Sequence, residues 1–169
     1  MEVFECIKTR RSIRRYKRRD IEEDKLMKIL EAARLAPSAH NHQPWKFIVV
    51  KEEEKKKALV SACCNQEFVG EAACVIVGLG LKKHRFKNGM NSNAIDVTIA
   101  LEHIVLQAWE EGIGSCWILA FWPEKVRKIL NIPRDIDVVG ILTLGYPAES
   151  PPPRPRKDLK EIICFDGYC

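Results

Sequence analysis

Ala73-Cys74-Val75-Ile76-Val77-Gly78-Leu79 is the run that sets the architecture. It is continuously apolar, β-branched at its centre and flanked by Gly70 and Gly80. A strand of that composition is buried on both faces, so it needs cover above and below. Phe47–Val50, Ser115–Leu119 and Val138–Leu144 supply further β-branched and aromatic strand candidates. Between them lie helical patterns. Glu2–Thr9 carries Val3, Phe4, Cys6 and Ile7 on one face. Residues 22–36 place Leu26, Ile29, Leu30 and Ala33 at helical spacing, with Asp20 and Glu23 arranged as a capping box and Pro37 as the stop. Glu52–Ala62 is a further helix, broken by Cys63-Cys64-Asn65-Gln66. Ile95–Trp109 is apolar nearly all round, as a helix buried in the core or against a partner would be. Pro123–Leu130 opens with proline in its first turn. Helices and strands intermix without a strict βαβ rhythm, which predicts an α+β fold.

A chain of 169 residues, 46% of them hydrophobic, is long enough for one domain with a real core. Lys82–Asn93 is polar and predicts a surface loop. From Ala148 to Pro155 proline dominates, predicting an extended arm over 148–169 that cannot pair as a central strand. No apolar run reaches the roughly 20 residues of a membrane span, and Met1–Lys8 does not read as a signal peptide. The seven cysteines are odd in number and contain no CxxC, so reduced buried thiols in a cytoplasmic protein are expected, with no metal site.

The net charge of +5 is local in origin. Eight of the twelve residues from Lys8 to Arg19 are basic, and removing those eight leaves 20 basic residues against 23 acidic ones. Such a cluster repels itself. A bound phosphate, a nucleic acid or plain solvation would each account for it. No recognition-helix motif or zinc-finger spacing accompanies it, which argues against nucleic acid as partner. Arg10, Arg11 and Arg14 surround the Ser12 hydroxyl, and Arg154 and Arg156 form a second guanidinium cluster far downstream. If the two clusters converge they make a phosphate cradle, because guanidinium forks match phosphate oxygens bidentately. If they do not, both are solvated.

The loop Ser38–Trp45 is the second polar constellation. Asn41 and Gln43 carry paired donor and acceptor groups suited to the edge of a heterocycle, although such amides often satisfy their own loop backbone. No GxSxG elbow, GxGxxG, P-loop or convincing Ser/His or Cys/His pairing is present, and His40/His42 is a weak metal pair. An enzyme built on this chain would leave the chemistry to a bound cofactor, with no catalytic side chain of its own.

Six segments in order, RRSIR at 10–14, APSAHNHQPWKFIVV at 36–50, ACVIVGL, GIGSCWILAF at 112–121, LGYP at 144–147 and PRPRK at 153–157, resemble the nitroreductase family of FMN-dependent oxidoreductases nearly end to end. The resemblance implies a three-layer sandwich with a central, mostly antiparallel sheet flanked by helices. It implies that Arg10, Arg11, Ser12 and Arg14 hold the FMN phosphate and ribityl chain, with Arg154 and Arg156 completing the phosphate site. Pro37, Ser38, Asn41 and Gln43 match the loop beside the flavin, and Asn65 an asparagine near its pyrimidine edge. Ile118, Leu119 and Ala120 match the segment along the ring whose backbone N–H reaches N5 or O4. Leu119 stands where glycine is common, which leaves the closeness of that approach open.

The family also implies a homodimer with FMN at the subunit interface, with 148–169 exchanged between subunits. The implied activity passes electrons from NADH or NADPH through FMN to nitroaromatic, quinone or similar small-molecule acceptors by a ping-pong mechanism. An FMN-binding or electron-shuttling protein without dedicated turnover is the alternative. The region 80–94 is short where larger relatives carry a lid, which predicts an open, weakly selective site with Phe121 or Trp122 as walls.

Overall fold

The computed structural model describes residues 1–81 and 85–168. Residues 82–84, at the start of the predicted surface loop, lie outside the described residues.

The central strand forms where the apolar run requires it. β2 (Cys74–Gly80) is buried at all seven positions and pairs antiparallel with β1 (Trp45–Val50) on one side and β4 (Asp137–Gly145) on the other. β3 (Gly114–Ile118) pairs antiparallel with β4, giving the order β1-β2-β4-β3. The period-2 alternation of strand side chains divides the core in two. Cys74 and Ile76 with Leu142 and Leu144 face α2 (Glu23–Arg34) and α5 (Ser92–Glu110). Val75, Val77 and Leu79 with Ile141 and Ile118 face α3 (Glu53–Ala62) and α6 (Pro123–Leu130). Helices on both faces of an antiparallel sheet make the α+β three-layer sandwich that the sequence suggested. Gly78 lets α5 pack closely on β2, since a Cβ there would meet Leu101 Cδ1 at 2.8 Å.

Two local expectations are corrected. Asp20 does not cap α2. Glu22 holds the N-cap position and caps nothing with its side chain, because its carboxylate is committed to the Tyr146 hydroxyl at 2.5 Å and to Arg19. The polar segment expected to run to residue 93 ends earlier: Asn91 accepts from the Asn93 N–H at 2.9 Å, starting α5 at Ser92 and burying both Ser92 and Asn93. A short helix, α4 (Phe68–Glu71), leads into β2.

Cys6, Cys63, Cys74 and Cys116 are free and buried, as expected, but Cys64 is free and exposed, because the chain turns outward there with φ 55°. Cys164 is disulfide-bonded, against the expectation of reduced thiols. α1 (Val3–Thr9) buries only Cys6, and the arm from 152 to 168 is exposed at every position. Among the described residues no helix is long and apolar enough to cross a membrane, and no group of three metal-binding side chains assembles.

Candidate functional site

The basic stretch is held as a strand-like segment along the outer edge of β3. Ile13 is 1% exposed and packs with Tyr16 and Ala72, so two apolar side chains anchor a segment whose other members are charged. The Ile13 N–H donates to Ser115 O at 2.8 Å, and Ser12 bridges Ser115 in parallel sense. Below the segment, the Tyr16 hydroxyl donates to Ile13 O at 2.7 Å and lies 2.7 Å from Thr143 Oγ1. Burial pushes the Tyr16 phenol far above its usual range, which keeps it neutral. The start of the arm is tied to the same segment. The Ala148 N–H donates to Arg15 O at 2.9 Å, and the Arg14 N–H donates to the Glu149 carboxylate at 2.5 Å.

This anchoring places the predicted phosphate ligands unequally. Arg14 is exposed, and its guanidinium makes no hydrogen bond or ion pair among the described residues. Ser12 is half-buried against the Cys116 thiol, whose ionisation burial pushes up. Arg10 lies 4.0 Å from Glu102, whose other carboxylate oxygen accepts from the Trp117 indole at 3.0 Å. Arg11 turns back, donating to the carbonyls of Lys8 at 2.9 Å and Arg10 at 2.8 Å. Arg154 and Arg156 sit on the exposed arm, with no recorded contact to Arg10, Ser12 or Arg14. The structure therefore gathers the N-terminal half of the cradle and leaves the C-terminal half free.

At the other end of β3 two further predicted pieces meet. Ile118 is buried, whereas Leu119 is 69% exposed. The Asn65 turn reaches this strand end: Gln66 Nε2 donates to Cys63 O at 2.9 Å and Ala120 O at 3.4 Å, and the Trp122 N–H donates to Ala62 O at 2.8 Å. Asn65 is exposed with φ 59°, following Cys64 at φ 55°, a pair of left-handed residues that costs backbone energy and turns the Asn65 side chain outward. Among the described residues nothing accepts a hydrogen bond from the Ala120 N–H. Gln66 was absent from the predicted set; its position after a broken helix was the one signal for it.

The third piece is the loop 37–43. Pro37 is exposed and Ser38 half-buried. Gln43 Nε2 donates to Asn41 Oδ1 at 3.2 Å, and the Gln43 N–H donates to Ser38 Oγ at 2.9 Å, so these groups satisfy one another. His40, Asn41 and Gln43 all have positive φ, and the buried Asp96 of α5 accepts from the Ala39 N–H at 3.3 Å. The loop is fixed in shape, with Asn41 and Gln43 exposed. No recorded contact joins it to the β3 edge.

The donor set fits FMN. Ser115 to Leu119 spans four residue steps, or about 13 Å at roughly 3.3 Å per residue, so the Ser12 and Ala120 donors stand toward opposite ends of β3. Among the described residues, the unpaired guanidinium of Arg14 lies at one end of this span and an unpaired backbone donor at the other. A groove of about 920 Å³ behind the basic stretch is a poorer candidate: Asp20, Glu53, Glu67 and Glu71 offset its cations, and none of the predicted ligands lines it.

Comparison with known proteins bears on the family and the fold. The model described as "Nitroreductase family" matches residues 7–65 and 55–146. A protein of Archaeoglobus fulgidus, provisionally named an NADH dehydrogenase/NAD(P)H nitroreductase, is 39% identical over 153 residues, covering 88% of this chain and 87% of that one. A nitroreductase family protein from Clostridium novyi NT superposes with TM-score 0.83 at 38% identity, covering 87% of each chain. An FMN-dependent nitroreductase from Clostridium difficile R20291 superposes with TM-score 0.81 at 31% identity, covering 98% of this chain and 99% of that one.

Proposed function

The chain belongs to the nitroreductase family, and from that premise we propose that it is an FMN-dependent NAD(P)H oxidoreductase acting on nitroaromatic, quinone or similar acceptors. The observation that carries this reading is the β3 edge, with Ser12 and Arg14 at its start and the unpartnered Ala120 amide at its end. When bound, FMN supplies the chemistry: it takes a hydride from NADH or NADPH and passes the electrons to an acceptor in a second, separate half-reaction.

The residues of the chain bind and orient. Arg10, Arg14 and Ser12 hold the phosphate, each charge-assisted hydrogen bond contributing roughly 1.5–3 kcal/mol. Arg154 and Arg156, on the arm 148–169 exchanged between subunits, complete the phosphate site. Arg11 supports the segment from behind by holding the end of α1. Asn65 addresses the polar edge of the ring and Ala120 its central nitrogen, while Ile118 forms the floor. The exposed Leu119 and Trp122 give the open mouth an apolar rim on which an aromatic acceptor can stack. Pro37, Ser38, Asn41 and Gln43 present a preformed polar loop, contributed across a subunit interface.

That interface is a homodimer in this reading. Val3 and Phe4 are 70% and 71% exposed on α1, and Phe165 and Tyr168 on the arm are 87% and 102% exposed, an apolar surface that a second copy would cover. The test is direct. The purified protein, reconstituted with FMN, should be yellow, bleach with NADH or NADPH, and recover colour with a quinone. Failure to bind FMN would overturn the reading. Binding without reoxidation by any acceptor would leave only an electron-shuttling or flavin-carrying role.

A further inference from the structure

Gln66 joins two pieces of the site and carries no role in the reading above. Its amide nitrogen donates both to Cys63 O, at the end of α3, and to Ala120 O, just beyond β3. The Trp122 N–H closes the same junction onto Ala62 O. Between these ties sits a tight turn in which the Phe121 N–H donates to Leu119 O at 3.2 Å.

The stereochemistry of the turn has a consequence for Ala120. In a trans peptide the N–H points opposite the C=O, and no peptide bond among the described residues is cis. Leu119 O is held by Phe121, so the Ala120 N–H, in the same peptide plane, is directed away from the turn. Ala120 O is held by Gln66, which fixes the next plane. Both peptide planes flanking Ala120 are thus constrained, and the one donor between them is aimed outward from an exposed position.

We propose that Gln66 is a positioning residue: by holding the Ala120 carbonyl it fixes the direction of the Ala120 N–H, the donor this chain offers to the flavin ring nitrogen. The proposal rests on the FMN reading. It also has a thermodynamic signature. That ring nitrogen accepts a hydrogen bond when the flavin is oxidised and carries a hydrogen once it is reduced. A donor held in place therefore favours oxidised FMN, and a donor released from its constraint discriminates less.

The experiment compares wild type with Gln66→Ala and with Gln66→Glu, which keeps the side chain's shape but, when ionised, cannot donate to either carbonyl. Affinities for oxidised and reduced FMN are measured, together with hydrogen exchange at the Ala120 amide with and without FMN. In both variants we expect oxidised FMN to lose three- to tenfold of its advantage over reduced FMN, a tenfold loss being about 30 mV toward less negative potential for a two-electron couple. The protection that FMN confers on the Ala120 amide should fall in parallel, while the preference for FMN over riboflavin, set at the phosphate end, stays as in wild type. Wild type that binds no FMN sinks the function reading and this proposal with it. Wild type that binds FMN, with both variants keeping its affinity ratio and Ala120 protection, overturns the Gln66 assignment alone.

Discussion

The hydroxyls of Tyr16 and Thr143 lie 2.7 Å apart in a fully buried contact, although 127 residues separate them in the chain. Through it the basic segment is fastened to β4, since the same phenol donates to Ile13 O. Tyr16→Phe keeps the ring but takes the donor from the buried Ile13 O and one partner from Thr143 Oγ1, which retains Cys116 O at 3.5 Å, so a loss of about 1–3 kcal/mol in unfolding free energy is expected from urea denaturation. FMN affinity should weaken as the segment loosens.

Gly114 sets the spacing between that segment and β3. A Cβ there would lie 2.6 Å from Ile13 Cγ1 and 3.0 Å from Pro147 Cγ. Gly114→Ala must displace one of them, and overpacking of this kind costs typically about 1–3 kcal/mol. Thermal unfolding should register the loss, and flavin titration should show weaker FMN binding with little change toward riboflavin.

Arg10 and Arg156 are the pair that tests the phosphate cradle. Arg10→Ala and Arg156→Ala should each weaken FMN binding by roughly tenfold or more, as expected for a charge-assisted bond of about 1.5–3 kcal/mol. If both hold one phosphate, the double variant departs from additivity by about 0.5 kcal/mol or more. Riboflavin, which lacks the phosphate, should bind all four proteins alike.

Glu22 makes part of the fold sensitive to acid. Its hydrogen bond from Tyr146, aided by Arg19, holds the carboxyl down at about 2, against an ordinary value of 4.5. A depressed carboxyl contributes stability that is complete above its unfolded pKa and is lost as pH falls toward the folded one. Stability should therefore decline between about pH 4.5 and pH 2 more steeply in wild type than in Tyr146→Phe, as measured by chemical denaturation across that window.

Cys64 should separate from its neighbour in thiol chemistry. It is exposed, whereas Cys63 and Cys74 are buried, with their thiols pushed up to about 12. Brief alkylation of the native protein at pH 8, read by peptide mass mapping, should label Cys64 and spare Cys63 and Cys74. FMN should slow that labelling, because Cys64 adjoins the Asn65 turn.

The elements that rest on local composition were legible in the sequence. ACVIVGL announced a doubly covered strand, and Pro123–Leu130 formed a helix between the residues expected. Reading failed where a distant partner decided the outcome. Asp20 looked like a cap because the reach of Tyr146 to Glu22, across 124 residues, leaves no local trace. Cys64 looked buried beside Cys63 until two left-handed residues turned it out. The RRSIR motif was visible as a basic cluster, and the pairing of Ser12 with Ser115, which displays it, was not. Gln66 was invisible because its importance lies in where Ala120 is, not in what surrounds Gln66 in the chain.

The segment from Arg10 to Tyr16 also guards a sheet edge. β3 is terminal in the order β1-β2-β4-β3, and its outer side is met at Ser115 by this segment, while β1 carries Lys46 at the opposite rim, followed by Lys51. Unpaired strand edges are templates for another chain, and charge is a common protection against that. A lesion that frees the segment would thus do more than weaken cofactor binding: it would bare backbone donors and acceptors along β3 and invite self-association. In this protein, failure to hold flavin and a tendency to aggregate should arise from the same substitutions.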